Sequence, residues 1–494
     1  MDHYIAIDIG ASSGRLMHSA VDNRGQISLT EIHRFKNFFT AKDGHDCWEI
    51  DHLIKEILVG LAKVKAAGID RCYAGIDTWG VDYCLLDEEG QLLAAPIAYR
   101  DQRTKGAAAA FAEKLPLATL YEKTGIQLLE FNTVFQLFKE EREKLAQAKQ
   151  LLLIPDYLGY VFTGNTVFEK TNASTTQLLN LAEKQLDEAI LTVLELSEDL
   201  FAELTEPGSF LGPLQNDRFP EYQLPEVTFI TVASHDTASA VVGTPGADSD
   251  WAYISSGTWS LIGAELAEGN AGAAAYAANF TNEWGVQGTI RFLKNIMGMW
   301  LIQEVARMQE YRWSYAELAE MAAKEAPFQQ FVPVNDDRFL NPANMITELQ
   351  DYCRETQQKV PESPGELARC VYDNLALCYG AELKQLAAVS GRNFNKLHIV
   401  GGGSNNRLLN QLTADVCEID VEAGPAESTA IGNLILQMVA TGGFADLTAA
   451  RKAIRKSFPL ANFKPQPGNH AAILQAYEAF INDPKSILRK EEVR

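Results

Sequence analysis

One aspartate in the middle of the chain stands where an acid could take a proton from a substrate hydroxyl. Asp236 lies in the segment TFITVASHDTASAVVG, between a short apolar run at 229–232 and a small-residue helix predicted over 237–242. Asp236 is thus expected at the end of a strand and the start of a helix. Backbone N–H groups and the helix dipole favour an ionised carboxylate there. Asp236 is therefore a candidate general base, and the alternative is that it only caps the helix.

A glycine-containing turn near the N-terminus could bind phosphate. A buried strand over 5–10 leads into this turn, and the alternation over 15–21 predicts a second strand, so the two form a hairpin. Backbone N–H groups and hydroxyls in such a turn can surround phosphate oxygens, and Asp8 at the strand end could hold Mg²⁺ through water. The turn consists of small residues closed by an arginine: Ala11, Ser12, Ser13, Gly14 and Arg15. An ordinary hairpin turn is the simpler interpretation.

The same turn matches a second motif. Residues 10–14 have the G-x-S-x-G pattern of the serine hydrolase elbow, with Ser12 as the nucleophile. That elbow needs a helix after its second glycine, and the residues after Gly14 alternate like a strand. A hydrolase is therefore a minor alternative.

A sugar-binding loop is predicted after the strand at 73–76. The segment DTWGVD, residues 77–82, combines two acids, an aromatic residue and Gly80. Carboxylates accept hydrogen bonds from sugar hydroxyls, an indole can stack on the apolar face of a sugar, and glycine allows close approach. A structural tryptophan beside a turn is an equally ordinary explanation.

The second half of the chain repeats the hairpin pattern. Residues 252–263 again predict strand, small-residue turn and strand, which we interpret as the equivalent part of a duplicated lobe. Facing hairpins could hold a triphosphate between two lobes, with Thr258 donating to the terminal phosphate. Residues 294–311 are predicted as one buried helix with Asn295 and Gln303 as its polar exceptions. A strand at 396–400 leads into three glycines, where a base or a phosphate could approach the backbone at Gly402.

Composition excludes several classes of protein. The 494 residues include 43 basic and 65 acidic side chains, a net charge of -22, which argues against nucleic acid or anionic membranes as partners. No signal peptide or membrane-spanning run is recognisable, so the cytoplasm is the expected compartment. The seven cysteines show no metal-binding spacing and are expected to be reduced core residues, although Cys353 and Cys370 could lie near each other. Neither a G-x-G-x-x-G dinucleotide motif nor a P-loop occurs.

Taken together and in order, these segments resemble the FGGY family of carbohydrate kinases. The matching segments extend over most of the chain and are DIGASSGR at 8–15, GIDTWGVD at 75–82, ASHDTASA at 233–240, SSGTWS at 255–260, LKNIMG at 293–298, NDDRF at 335–339 and HIVGGG at 398–403. The resemblance implies an α/β fold with two actin-like ATPase (ribonuclease H-like) lobes, a duplicated domain with a cleft between the lobes. The expected domains are residues 1–243, for sugar and phosphate, and residues 244–494, for the nucleotide.

The resemblance also implies roles for individual residues. Asp236 would be the proton acceptor, and Asp8 would lie near Mg²⁺. The ATP-binding residues would be Ala11, Ser12, Ser13, Gly14, Arg15, Thr258, Gln303 and Gly402. The sugar-binding residues would be Gly80, His235, Asp236, Thr237 and Asn295.

The implied reaction is transfer of the γ-phosphoryl group of ATP to a sugar hydroxyl. The form ASHDTA around Asp236 is similar to the subfamily that phosphorylates L-rhamnulose at its 1-hydroxyl in L-rhamnose catabolism, and it differs from glycerol and xylulose kinases. The expected partners are the sugar and ATP with Mg²⁺, bound by a monomer or small homo-oligomer. A kinase for another ketose and a non-catalytic nucleotide switch of the same fold are the alternatives.

Overall fold

The computed structural model describes residues 2–22, 24–247 and 250–483. The β-strands in this part of the chain are β1 (His3–Ile9), β2 (Ser13–Ala20), β3 (Thr30–Lys36), β4 (Phe39–Lys42), β5 (His45–Trp48), β6 (Arg71–Thr78), β7 (Tyr83–Leu86), β8 (Gln150–Leu153), β9 (Phe168–Glu169), β10 (Leu179–Asn180), β11 (Gln185–Leu186), β12 (Leu204–Thr205), β13 (Phe210–Pro213), β14 (Glu226–Ile230), β15 (Trp251–Ser256), β16 (Trp259–Leu266), β17 (Thr281–Trp284), β18 (Ile290–Met297), β19 (Lys396–Val400), β20 (Asp420–Ala423) and β21 (Ala461–Phe463).

The α-helices of the described residues are α1 (Ile50–Ala66), α2 (Ala107–Ala112), α3 (Leu117–Thr124), α4 (Thr133–Lys139), α5 (Arg142–Gln147), α6 (Ile154–Thr163), α7 (Lys170–Ala173), α8 (Glu188–Leu194), α9 (Asp236–Val242), α10 (Ala273–Ala277), α11 (Trp300–Met308), α12 (Tyr315–Ala322), α13 (Met345–Glu355), α14 (Pro364–Ser390), α15 (Arg407–Cys417), α16 (Ser428–Ala440), α17 (Leu447–Ser457) and α18 (His470–Asn482). None of the described helices is long and apolar enough to cross a membrane.

The chain forms two compact units from interleaved segments. Unit 1 contains the described residues of the ranges 1–247, 265–292 and 428–458, and unit 2 contains those of the ranges 248–264, 293–427 and 459–494. The domain boundary expected between residues 243 and 244 stays a prediction.

Unit 1 is built on a six-stranded sheet with the order β13-β14-β6-β1-β2-β3. β1 pairs with β2 antiparallel and with β6 parallel, and β6 pairs with β14 parallel. Side chains alternate across β1, so Ile5, Ile7 and Ile9 enter the core that contains α1, whereas Tyr4 and Ala6 enter the core that contains α16. By the same alternation Asp8 points to the face covered by α16, and it pairs in register with Asp77 of β6. Two acids therefore lie side by side where the parallel strands end.

Unit 2 repeats this topology. Its sheet places β21, β20, β19, β15, β16 and β18 side by side in that order. β15 pairs with β16 antiparallel and with β19 parallel, β19 pairs with β20 parallel, and β20 pairs with β21 antiparallel. β13 likewise pairs with β14 antiparallel in unit 1. The duplication predicted from the two hairpins is therefore confirmed, because each hairpin begins an equivalent sheet.

One predicted element is wrong. Residues 294–311 are not a single helix, because β18 continues to Met297 and α11 begins only at Trp300. The turn between them packs tightly, since a Cβ on Gly298 would lie 2.6 Å from the carbonyl carbon of Trp259. A strand that is buried on both faces lacks the alternation of apolar and polar residues by which a strand is told from a buried helix. The mainly apolar sequence over 290–308 was therefore read with the helical period although its first part is a strand.

The cysteines behave as predicted. All seven fall within the described residues and are free, and six of them are buried. The thiols of Cys353 and Cys370 are hydrogen-bonded to each other and are not joined by a disulfide.

Candidate active site

Asp236 is the first residue of α9 in unit 1. His235 precedes it with an extended backbone, and the N–H of Thr78, at the end of β6, donates to the carbonyl of Ser234 at 2.9 Å. The Oδ1 atom of Asp236 accepts from the N–H and the hydroxyl of Thr237 at 2.6 and 3.2 Å. A helix cap would instead accept from an N–H two or three residues ahead. The capping alternative is therefore not what the geometry shows, and Oδ2 makes no hydrogen bond with any described residue.

Three carboxylates lie close to one another in unit 1. Asp77 is fully buried and accepts from the Nδ2 of Asn433 at 2.6 Å. Burial raises its pKa well above the usual range, and the neighbouring charge of Asp8 and then that of Asp236 raise it further. The pKa of Asp236 is also raised, first by burial and then by Asp8, and His235 partly offsets this. About one third of the Asp236 side chain is still open to solvent, so a substrate hydroxyl can reach it.

The hairpin between β1 and β2 is tight. The N–H of Gly10 donates to the carbonyl of Ser13 at 2.9 Å, and a Cβ on Gly14 would lie 2.2 Å from the ring of Phe35. Ser12 is exposed at its tip. Because β2 follows at once, the strand-to-helix elbow that a serine nucleophile needs is absent here, and the hydrolase alternative is not supported.

Arg15 connects this hairpin to the acids. Its Nη2 and Nε atoms donate to Asp8 Oδ2 at 2.9 and 3.1 Å. The guanidinium thus lies at the base of the turn, where it can meet an anionic group that approaches the hairpin.

The acids fit a bound Mg²⁺. No cluster of three or more histidine, cysteine or acidic side chains suited to a metal is found in the part of the chain that the structure describes. Mg²⁺ in kinases, however, uses one or two carboxylates together with water and phosphate oxygens. Asp8 supplies one such group, and the buried Oδ1 atom of its neighbour Asp77 has no hydrogen-bond partner.

His235 lies between Asp236 and a buried ion pair. Its Nε2 atom is 3.4 Å from Asp236 Oδ1, and its Nδ1 atom is 3.3 Å from Glu283 Oε2. Glu283 pairs with Arg291, whose Nη1 atom is 2.8 Å away. Burial opposes ionisation of Glu283, yet Arg291 and then His235 keep the pKa of this carboxyl below its usual range.

Gly80 lies next to His235. A Cβ at this position would lie 3.0 Å from the hydroxyl of Thr175, 3.4 Å from Asn172 Oδ1 and 3.4 Å from the His235 ring. The following residue, Val81, has a φ of 68°, which is unusual for a β-branched side chain and is typical of functional loops.

The structural alternative fits Asp82 and Trp79, two further residues of this loop. Asp82 is buried and its Oδ2 atom accepts from the indole N–H groups of Trp48 and Trp79 at 2.7 and 2.9 Å and from the N–H of Tyr99 at 3.0 Å. Trp79 packs against Trp48, with ring centroids 4.2 Å apart. Asp82 and Trp79 therefore shape the loop.

Two of the predicted nucleotide residues of unit 2 are in contact. The Thr258 hydroxyl donates to Gln303 Oε1 at 3.4 Å, and the N–H of Trp300 at the start of α11 donates to the Thr258 carbonyl at 3.1 Å. The glycine turn after β19 packs on the end of β15, since a Cβ on Gly401 would lie 2.8 Å from the carbonyl of Ser256. A Cβ on Gly402 would meet nothing within 4 Å, so its backbone is open to a ligand.

Asn295 is half-buried on β18 of unit 2, whereas Gly80, His235 and Thr237 belong to unit 1. Its contact with the sugar stays a prediction.

Sequence reasoning missed several residues of the unit 1 site. They come from five separate elements and are Asn172, Thr175, Glu283, Arg291 and Asn433. Asn433 left a detectable signal, because it is a polar residue inside the apolar helix α16. Glu283 and Arg291 left none, because a charged residue in a short strand is ordinarily a surface residue.

Comparisons with known proteins show the family of the chain. The sequence model of the "FGGY family of carbohydrate kinases, N-terminal domain" matches residues 3–243, and that of the C-terminal domain matches residues 252–441. The chain belongs to the FGGY family of carbohydrate kinases. Among curated FGGY kinases, it is 62% identical over 480 residues to the rhamnulokinase of Enterococcus faecalis, covering 97% of each chain. It is 51% identical to the rhamnulokinase of Bacillus subtilis, over 97% of this chain and 98% of the relative.

Solved structures of the family share the fold at low sequence identity. A ligand-bound xylulose kinase from Lactobacillus acidophilus superposes with a TM-score of 0.80 at 15% identity, covering 98% of this chain and 99% of that chain. A Plasmodium falciparum glycerol kinase with ADP gives a TM-score of 0.79 at 16% identity, covering 99% and 98%. This protein therefore has the two-domain, actin-like fold of the FGGY kinases.

Proposed function

We propose that this FGGY kinase transfers the γ-phosphoryl group of ATP to the 1-hydroxyl of L-rhamnulose and so forms L-rhamnulose 1-phosphate in L-rhamnose catabolism. The observation that carries the proposal is the carboxylate of Asp236, with one oxygen fixed by Thr237 and the other left open beside the phosphate-binding hairpin. The similarity to rhamnulokinases at up to 62% identity over nearly the whole chain supports L-rhamnulose as the acceptor.

Asp236 acts as the general base. Its Oδ2 accepts the hydrogen bond of the 1-hydroxyl and takes the proton as the bond from oxygen to phosphorus forms. Because burial and Asp8 raise the pKa of Asp236, the carboxylate is a better proton acceptor than an exposed aspartate.

The phosphates of ATP are held by backbone groups and a few side chains. In unit 1 the turn 11–15 offers its N–H groups, the hydroxyls of Ser12 and Ser13, and the guanidinium of Arg15. In unit 2 the nucleotide contacts are Thr258, Gln303 and the open backbone of Gly402. Asp8 would hold Mg²⁺, which when bound neutralises phosphate charge. Such positioning and charge neutralisation account for most of the catalysis of phosphoryl transfer.

The sugar is bound by Gly80, His235, Thr237 and Asn295. Gly80 lets the ketose approach the loop closely, since any larger side chain would fill the space beside His235. The residues before 244 thus serve the sugar and the phosphates, and the later residues, apart from Asn295, serve the nucleotide.

A substrate panel tests the proposal. ADP release measured across L-rhamnulose, L-ribulose, L-fuculose and D-xylulose should be fastest with L-rhamnulose. Faster turnover of another ketose would overturn the substrate assignment but keep the kinase. ATP turnover that is independent of every sugar would instead identify a nucleotide switch.

A further inference from the structure

A buried ion pair stands behind the histidine that adjoins Asp236. Glu283 of β17 and Arg291 of β18 are both nearly inaccessible to solvent, and their Oε2 and Nη1 atoms are 2.8 Å apart. Arg291 also donates from Nε to the carbonyl of Trp284 at 3.1 Å and from Nη2 to the carbonyl of Thr171 at 3.2 Å. The guanidinium is thereby fixed from several sides, and it fixes Glu283 in turn.

The pair ends on one edge of an imidazole ring. Glu283 Oε2 and Arg291 Nη1 lie 3.3 and 3.4 Å from His235 Nδ1. The opposite ring atom, Nε2, lies 3.4 Å from Asp236 Oδ1. The ring is thus contacted on its Nδ1 side by the buried pair, with Arg291 Nη1 as the hydrogen-bond donor, and its Nε2 atom lies beside the candidate base.

Stability alone is a poor reason for such a pair. Two apolar side chains of similar size usually stabilise a core as well as a buried ion pair, because desolvation of the charges offsets their attraction. A polar group that contacts one ring nitrogen of an active-site histidine can fix the orientation of the ring, so that the other nitrogen meets the reacting groups.

The charges around Asp236 define what the ring can contribute. Asp8 faces it as a negative group, Asp77 is a buried carboxyl whose own pKa is raised well above the usual range, and Tyr99 faces it as a neutral phenol with a raised pKa. His235 favours the ionised form of the Asp236 carboxyl electrostatically, and the two hydrogen bonds from Thr237 act in the same direction.

We propose that Glu283 is a positioning residue: it anchors Arg291, whose Nη1 donates to His235 Nδ1 and so leaves the ring proton on Nε2, directed at Asp236 Oδ1. With Oδ1 occupied by Thr237 and His235, the carboxylate presents Oδ2 to the substrate hydroxyl. This inference rests on the proposed role of Asp236 as the general base.

A double-mutant cycle tests it. Glu283→Gln keeps the shape of the side chain, and we expect it to lower kcat about 10- to 100-fold through misorientation of the base while the KM for ATP stays within about 2-fold. In a His235→Asn background the same change should alter kcat by less than about 2-fold, because Glu283 then has no ring to hold. Glu140→Gln is the matched control, since Glu140 is also buried against an arginine, Arg103, at 2.7 Å in unit 1. It should leave kcat unchanged.

The outcomes separate the possibilities. An equal loss from Glu283→Gln in both backgrounds would overturn the positioning role, and so would an unchanged kcat in the single variant. The cycle is measured with the ketose that is turned over fastest, so a different sugar preference would overturn the substrate assignment alone.

A measurement on the unaltered protein tests the inference even if the variants do not fold. Long-range ¹H–¹⁵N spectra should show a proton on Nε2 of His235 at neutral pH without any substrate. The signals of His235 are assigned by their loss in His235→Asn or, if that variant does not fold, in the conservative His235→Gln. A ring that carries its only proton on Nδ1 would overturn the inference.

Discussion

Replacing Asp236 by asparagine separates proton acceptance from local structure. The amide oxygen can keep the place of Oδ1, which accepts from Thr237 at 2.6 Å, so the start of α9 should remain intact. What is lost is the base. General base catalysis contributes about 10²- to 10⁴-fold, and each factor of ten corresponds to about 1.4 kcal/mol of activation free energy, so Asp236→Asn should raise the barrier by about 3–5 kcal/mol.

The stability of the same variant has a predictable sign. The folded-state pKa of Asp236 is raised, so its contribution to stability is full at low pH and is lost as pH rises through that pKa. At neutral pH the ionised carboxylate therefore weakens folding, and the neutral amide relieves its repulsion with Asp8. Asp236→Asn should consequently melt at the same temperature as the unaltered protein or slightly higher.

The assay is coupled ADP release with L-rhamnulose, together with thermal melting and ATP titration. Asp446→Asn is the control, because it makes the same chemical change at the exposed start of α17, where Asp446 accepts from Ala449 at 2.7 Å. The control should keep full activity. Retention of more than a few per cent of kcat in Asp236→Asn would refute the base assignment, and a large fall in melting temperature would refute the electrostatic argument.

Three further predictions concern the rest of the site. Since burial raises the Asp236 pKa, kcat/KM should begin to fall with decreasing pH at a pH above the usual aspartate range. His235→Asn should move this acidic fall in kcat/KM to higher pH, because the charge of His235 lowers the pKa of Asp236. A pH profile of kcat/KM for both proteins checks this. Gly80→Ala would place a methyl group 3.4 Å from the His235 ring, so steady-state kinetics should show a raised KM for the sugar and an unchanged KM for ATP. The added methyl group of Gly402→Ala would meet no protein atom, so this variant should weaken ATP binding in titration calorimetry without loss of stability. Gly401→Ala should instead lower the melting temperature, because Gly401 has a φ of 79° and its new Cβ would lie 2.8 Å from a carbonyl.

Much of the fold could be predicted from the sequence because it is encoded locally. Apolar runs ending in glycine, such as those before Gly10 and Gly401, predicted the strands and the turns that follow them. The duplication was visible because the hairpins at 8–15 and 255–260 repeat the same small residues at the same strand ends. Where a strand is buried on both faces, as at 290–297, the local pattern is ambiguous, and the prediction of a helix was wrong.

The position of Asp236 at a strand-to-helix junction was determined by the sequence alone, because both flanking periodicities are short-range. What surrounds that carboxylate was decided only by the tertiary structure. Glu283 and Arg291 meet His235 from more than forty positions away, and Asn433 reaches Asp77 across 356 positions. Asp82, which the local motif predicted to bind sugar, turned inward to two tryptophans. Contacts between distant segments depend on the packing of the whole unit, and no local pattern of residue types can specify which charged groups will be buried together.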